Sequence, residues 1–288
     1  MWVLYAFGSA FFAGITAVLA KIGIQNVNSH LATALRTIVV VLFAWLMVGI
    51  AGSGGTIFTL KSQTWVFLIL SGAATGASWI CYFRALQLGD VNKVAPIDKS
   101  STVLTMVLAF LFLNEAFSAN MLIGMVLILA GTMLMIQKKE GDAPAGKSRS
   151  WFVWAVLSAV FASLTAILGK VGIQGVESNL GTAIRTVVVL ILAWGIVFGR
   201  GLHKEIGKID KKSWLFLALS GLATGLSWML YYHALQEGSA SIVAPIDKLS
   251  ILVTILFSFI LLKEKLNRKS AVGLELLTAG TLLLLVHF

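Results

Sequence analysis

Hydrophobic positions along this chain gather into ten runs separated by short polar breaks. In the first half the runs cover about residues 3–24, 31–50, 64–86, 93–113 and 120–137. In the second half they cover about residues 151–173, 180–199, 213–235, 241–262 and 270–287. Each is close to the roughly 20 apolar residues that a helix needs to cross a hydrocarbon core. A bilayer offers no water to an exposed peptide group, so runs of this length must satisfy their own backbone as helices. The expected fold is an all-α polytopic membrane protein with ten transmembrane helices. The longest break, "KKEGDAPAGKSRS" at 138–150, reads as a polar linker between two domains, 1–137 and 151–288.

The two halves are copies of one another. Lys21 is matched by Lys170, Arg36 by Arg185, Trp65 by Trp214, Trp79 by Trp228, Asp98 by Asp247, Lys99 by Lys248 and Glu115 by Glu264. Every pair is separated by 149 positions (170 − 21), so no insertion divides the copies. Self-similarity at a fixed period is the mark of a repeat architecture. Five spans per copy is an odd number, so the second copy is expected to cross the membrane in the opposite direction. Inverted-topology repeats of this kind recur among secondary transporters.

Charge changes the picture in two ways. Of the 288 residues 58% are hydrophobic and 12% are charged, whereas a soluble domain carries about 25% charged residues. The net charge of +10 raises nucleic acid as a partner, but no basic, aromatic-interleaved soluble domain exists to bind it. The cations lie in loops instead, and they sort by side. If loops alternate across the membrane, one side holds only Lys61, while the other holds Lys93, Lys138, Lys139, Lys147 and Arg149, then Arg200, Lys204, Lys208, Lys211 and Lys212, and finally the run from Lys263 to Lys269. Repeat-equivalent loops show the contrast directly: "GSGGTIFTLKSQ" at 52–63 against "GLHKEIGKIDKK" at 201–212. By the positive-inside rule the loaded side is cytoplasmic, which puts both termini outside. The first run lacks a basic leader and a small-residue cleavage site, and reads as a retained span. Cys81 is the only cysteine, which excludes an intramolecular disulfide and a thiol-based metal or redox site. No cofactor is expected.

Candidate chemistry sits where polar residues interrupt the apolar runs. "VAPIDKSS" at 94–101 returns as "VAPIDKLS" at 243–250. Proline frees a backbone carbonyl and bends a span, as a packing kink or as a functional break. A charge in hydrocarbon needs a partner or water. Depth along the spans pairs Asp98 with Arg36 and Asp247 with Arg185, either as structural clamps or as gates that respond to protons. Lys99 and Lys248 point about 100° away from the adjacent aspartates on a helix. Polar stripes follow helical spacing: Asp98, Ser101 and Thr105, repeated by Asp247, Ser250 and Thr254; and Ser71, Thr75, Ser78 and Tyr82, repeated by Ser220, Thr224, Ser227 and Tyr231. With Trp79 and Trp228 beside them, these stripes line a solute cavity or serve as interhelical glue. Lys21 and Lys170, near span ends, reach for headgroups or for solute. Arg84 and His233 are equivalent positions with different chemistry. Glu115 and Glu264 follow their spans and read as interfacial and structural.

One combination of residues resembles a known family. "AL" at Ala85–Leu86, then Pro96, "FLNEAFS" with Glu115, Gly124 and Gly131 is similar to the EamA domain of the drug/metabolite transporter superfamily. Ala234–Leu235, Pro245, "LLKEKLN" with Glu264, Gly273 and Gly280 repeat it. The resemblance covers essentially the whole chain. It implies ten helices around a central cavity, alternating access, and transport of a small metabolite, commonly outward. "PIDK" in both copies departs from the family pattern, so the better-known exporters' substrates do not carry over. Ten-span members commonly have both termini inside, against the loop charges here.

The reading is therefore a secondary transporter in the inner (cytoplasmic) membrane. It would move an amino-acid-like, zwitterionic or anionic metabolite, as an exporter, with protons as the candidate coupling ion. Residues assigned to binding or gating are Arg36, Trp79, Tyr82, Asp98, Lys99, Arg185, Trp228, Tyr231, Asp247 and Lys248. Those assigned to the cavity wall are Thr75, Ser78, Ser101, Thr224, Ser227 and Ser250. Rival readings are an importer of small amines or sugars, a lipid-carrier flippase, and a membrane scaffold or sensor. An enzyme is disfavoured, since no H-E-x-x-H, nucleophile elbow or Cys–His set is present. The expected partners are a small-molecule solute and membrane lipids, not nucleic acid, and two fused copies suffice for a functional monomer. In a Cys81→Ser background, a cysteine replacing Thr59 should react with an impermeant maleimide in intact cells. A cysteine replacing Lys208 should react only after permeabilisation; the reverse result would invert the assigned orientation.

Overall fold

The computed structural model describes residues 1–24, 26–88, 94, 97–98, 100–116, 118–135, 150–262 and 268–285. The first half contributes α1 (Trp2–Gly23), α2 (Ser29–Ile50), α3 (Ser62–Leu88), α4 (Ser101–Leu113) and α5 (Ala119–Met135). The second contributes α6 (Ser150–Gly172), α7 (Ser178–Gly199), α8 (Lys211–Glu237), α9 (Ala240–Lys248), α10 (Ser250–Leu262) and α11 (Arg268–Leu285). Short 3-10 turns, Ser53–Thr59 and Leu202–Lys208, precede α3 and α8. Among the described residues, 7 helical stretches are long and apolar enough to cross a membrane; α4 and α5 are shorter apolar helices. Pro96, Lys99, Lys93 and Glu264 lie outside the described residues.

Local chemistry sets the helix boundaries. Asn28 accepts the His30 amide to start α2, and Glu177 accepts the amides of Asn179 and Leu180 to start α7. Such caps satisfy donors that the first helical turn leaves open. Asp210 opens α8 by accepting the hydroxyl and amide of Ser213, which holds its carboxyl below the ordinary value. The two 3-10 turns begin after Gly52 and Gly201, at φ of 66° and 69°, a left-handed conformation that glycine adopts without a Cβ penalty.

The apolar run at 241–262 is two helices rather than one. Pro245 has no N–H, so the Ser241 carbonyl loses its usual helical partner. The helix ends at Leu249, whose amide turns back to Ile246 O at 2.9 Å. The first copy makes the same turn, with the Ser100 amide on Ile97 O at 3.2 Å. The break thus falls just past the Asp-Lys pair in each copy.

The chain forms two compact units, and each draws on both halves. The first comprises Met1–Ala73, Leu168–Gly238 and Ser250–Glu264; the second comprises Ala74–Ile167, Ser239–Leu249 and Lys265–Phe288. In the first unit α1 runs along α8 and packs on α10, while α2 packs on both α7 and α8. Backbones approach closely at two equivalent glycines. A Cβ on Gly72 would lie 2.8 Å from Arg185 O, and one on Gly221 would lie 2.9 Å from Arg36 O. In the second unit α5 and α11 cross antiparallel, and α4 packs on α9. A Cβ on Gly131 would meet Gly273 O at 2.5 Å, and one on Gly273 would meet Gly131 O at 2.6 Å. Gly124 and Gly280 repeat the relation at 3.0 and 2.9 Å. Small residues at these crossings let helices associate where lipid offers no hydrophobic drive.

Gly131→Val should therefore force α5 and α11 apart and destabilise the protein by about 1–3 kcal/mol, the range for overpacking. Gly207→Ala, where an added Cβ meets nothing within 4 Å, should stay within about 0.5 kcal/mol of wild type. Detergent-solubilised thermal midpoints for the two variants check the contrast.

Candidate functional site

The first unit holds two guanidiniums at repeat-equivalent positions, that of Arg185 buried and that of Arg36 half-buried. Arg36 on α2 donates from Nη2 to Thr224 Oγ1 on α8 at 2.7 Å. Arg185 on α7 donates from Nε to Ser71 Oγ on α3 at 3.3 Å. Each arginine thus reaches the third helix of the other copy. The glycine contacts explain the reach. Gly221 seats the Arg36 backbone against α8, and Thr224 lies one turn further along. Gly72 seats the Arg185 backbone against α3, beside Ser71.

The two arginines are not in identical environments. Arg185 is 2% exposed. Its guanidinium lies 4.4 Å from the Tyr232 ring centroid and 5.3 Å from that of Trp228. A desolvated guanidinium over an aromatic face gains about 2 kcal/mol or more. Tyr231 stands edge-on to Tyr232, their centroids 5.3 Å apart. Arg36 is half-buried, and its Nε is buried with no hydrogen-bond partner among the described residues. An unsatisfied donor on a buried cation is costly. Thr224, which accepts from Arg36, donates its own hydroxyl to Ser220 O at 2.7 Å.

The hydroxyl stripes lie in helix seams. In the first unit Ser227 Oγ donates to Ser9 O at 3.1 Å, its hydroxyl lies 3.2 Å from that of Ser9, and Ser220 Oγ donates to Thr16 O at 3.0 Å. In the second unit Ser78 Oγ donates to Ser158 O at 3.1 Å, and Thr75 meets Thr165 at 3.3 Å. Asp98 joins this second seam, because Ser158 Oγ donates to its Oδ1 at 2.8 Å. Tyr82 packs with Ile97, Trp151 and Trp154 around Ala85, Val94 and Ala155. Ser101 is buried, and its carbonyl accepts from Thr105. Ser250 repeats this with Thr254, whose hydroxyl also reaches Gly14 O at 3.3 Å. Asp247 and Lys248 are half-buried at the end of α9, and Trp79 is half-buried on α3. Arg36 and Arg185 belong to the first unit and Asp98 and Asp247 to the second. The contacts described for Arg36, Arg185 and Asp98 are each made inside one unit.

Helix ends are tied by side chains from distant segments. Lys170 Nζ donates to Gly238 O at the end of α8, a backbone anchor rather than a free headgroup contact. Gln236 Nε2 returns the favour to α6, donating to Ile173 O at 2.9 Å and Val176 O at 2.6 Å. Glu115 accepts the amides of Ala240 at 2.7 Å and Ser241 at 2.9 Å, together with the Ser241 hydroxyl. A carboxylate at this helix start complements the open amides and the dipole of α9. A cavity of 140 Å³ adjoins it, lined by Glu115, Asn120, Ser241 and Leu284 among others. His233 Nε2 lies 3.3 Å from Glu237, with the Tyr5 ring edge-on at 4.3 Å.

Sequence reasoning missed Tyr232, Ser158 and Gln236. The first had a signal: the repeat places Phe83 opposite Tyr232, so the copies differ where a phenol meets a guanidinium. Ser158 had a fainter one, a serine kept at the equivalent Ser9 in an otherwise apolar helix.

The model of the EamA-like transporter family matches residues 1–137 and 149–286, one match per copy. The chain belongs to the EamA-like transporter family. It is a membrane protein with multiple apolar helices. An "uncharacterized transporter in cobO 3'region" of Sinorhizobium sp is 49% identical over 139 residues, 48% of this chain and 99% of that protein. That EamA-family relative is therefore about one copy long. An uncharacterized transporter of Methanothermobacter thermautotrophicus (strain Delta H) is 25% identical over 293 residues, covering 93% of this chain and 81% of its own. A crystal structure superposes with a TM-score of 0.77 at 16% identity, over 98% of this chain and 96% of its own, a likeness of fold. For this EamA-family chain, a double-mutant cycle of Ser9→Ala and Ser227→Ala should return a coupling of about 0.6 kcal/mol, the average for interhelical hydrogen bonds in a membrane. Additive single effects in thermal unfolding would mean that the hydroxyl pair adds nothing to the α1–α8 contact.

Proposed function

We propose that this protein is a secondary active carrier for a small anionic or zwitterionic metabolite of amino-acid-like size. It works in the cytoplasmic membrane by alternating access between two inverted five-helix repeats, and it runs in the export direction. The observation that carries the reading is Arg36, a cation on an apolar helix whose Nε has no partner among the described residues. A solute carboxylate completes that guanidinium with the charge-assisted, bidentate geometry that arginine favours. Arg185, held over Trp228 and Tyr232, is its counterpart in the second copy.

Inversion is supported by the antiparallel crossing of the equivalent helices α5 and α11, and by the matched seating of Arg36 and Arg185 at Gly221 and Gly72. Its relatives are named as transporters, and transport is the activity extended here to this chain. Proton coupling is assigned to Asp98. Ionised, it accepts from Ser158; protonated, it loses charge and can donate, which loosens the second unit's seam. Trp79, Tyr82, Tyr231, Asp247 and Lys248 remain assigned to binding or gating, as does Lys99, and each copy functions as one repeat of a monomer.

Currents from proteoliposomes on a solid-supported membrane test the proposal, using a panel of amino acids, dicarboxylates and monoamines with and without a proton gradient. Currents should appear with carboxylate-bearing solutes. Arg36→Gln should raise the half-saturating concentration about 10-fold or more, the worth of a charge-assisted hydrogen bond. Monoamine currents that Arg36→Gln leaves unchanged would sink the anion reading. An Asp98→Asn variant with wild-type pH dependence would remove Asp98 as the coupling group.

A further inference from the structure

The two 3-10 turns are the same device with opposite chemistry. Ser53–Thr59 and Leu202–Lys208 have the same length, the same repeat position and the same left-handed glycine before them. The first is followed by Lys61 alone. The second carries Lys204 and Lys208 and is flanked by Arg200, Lys211 and Lys212, all exposed. None of the four lysines makes an ion pair among the described residues. Of the two carboxylates in this stretch, Asp210 is turned into the start of α8 by Ser213. Arg200 is fixed at the end of α7 by donating to His30 Nε2 at 3.0 Å.

The same stretch also carries apolar residues. Leu202, Ile206 and Ile209 are half-buried, while Phe198 and Trp214 stand beside the turn 59% and 41% exposed. Exposed aromatics at this level mark the boundary between headgroups and acyl chains. Orientation alone asks only for cations near the span ends. It does not ask for four exposed lysines on and just after a turn whose Leu202 and Ile206 are half-buried.

We propose that this turn is a docking face for anionic phospholipid, with the lysines on headgroup phosphates and Phe198 and Trp214 against the glycerol and upper acyl region. Juxtamembrane clusters of four to eight lysines and arginines are the known electrostatic match for anionic lipid surfaces. A free phosphate would use the lysines but leave the aromatic pair without a role, so lipid is the occupant. The face is independent of the solute site and does not rest on the transport reading.

The test uses full-length protein in mixed micelles with brominated phosphatidylglycerol or brominated phosphatidylcholine. The quenching of Trp214 is read as the difference between wild type and Trp214→Phe. Phosphatidylglycerol should quench at an about five-fold lower mole fraction than phosphatidylcholine at low salt. The preference should vanish in 1 M chloride, where screening cuts the Debye length to about 3 Å. It should also vanish in the K204Q/K208Q/K211Q/K212Q variant and persist when the same four lysines become arginine. Equal quenching by the two lipids at low salt overturns the proposal, as does a preference that salt leaves intact. Loss of the preference on adding 10 mM inorganic phosphate, but not chloride of equal ionic strength, would assign the face to free phosphate and overturn the lipid. If the glutamine variant does not fold, the salt series on the wild-type chain decides the question.

Discussion

Contact between helix backbones at Gly72 and Gly221 is the constraint on which the first unit depends. Without side chains at these points, the Arg185 and Arg36 carbonyls come within van der Waals reach of the neighbouring helices. Only at that separation can a guanidinium on α2 meet a threonine on α8, or one on α7 meet a serine on α3. Wider spacing would leave both cations in an apolar layer with nothing to bond, at a cost of several kcal/mol each. The glycines thus fix where charge can be buried.

The same economy governs the polar seams. Hydroxyls of Ser9, Ser78, Ser158, Ser220 and Ser227 pair with one another or with carbonyls on the facing helix. In the bilayer the alternative to such a pairing is an unsatisfied polar group in hydrocarbon. Helix ends obey the rule as well. Lys170 and Gln236 exchange caps between α6 and α8, and Glu115 supplies from another segment the carboxylate that the first turn of α9 lacks. Asp98 joins the same economy by accepting from Ser158 on the facing helix.

Much of this was legible in the residues. Run lengths gave α1, α2, α3, α5, α6, α7, α8 and α11 to within a few positions, whereas the run at 93–113 coincides with α4 only from Ser101 and the run at 241–262 is two helices. The 149-position match identified the equivalent arginines from the residues alone. The stripes were visible too, but spacing alone assigns a face and not a neighbour, so glue and cavity wall read alike. The break at Leu249 was only half visible. Pro245 announces a weakened helix, yet the turn falls four residues later, where the backbone can fold back onto Ile246. Tyr232 escaped notice because an apolar aromatic occupies its mate, and the difference matters only once Arg185 is known to lie over the ring. The two units were illegible, since each is assembled from segments of both copies.

The paired 3-10 turns bear on how such a chain evolves. A half-length chain that must serve in both membrane orientations presents one loop to two aqueous phases, and selection on that loop is a compromise. On the inverted topology proposed above, joining two copies releases the compromise, so each loop answers to one phase alone. Here the backbone of the turn has been kept while its charge has diverged, from a lone Lys61 to the cluster beginning at Lys204. Tyr232 against Phe83 is the same release at work inside the bilayer. Duplication conserved the scaffold, and fusion allowed the two ends of one architecture to acquire separate histories.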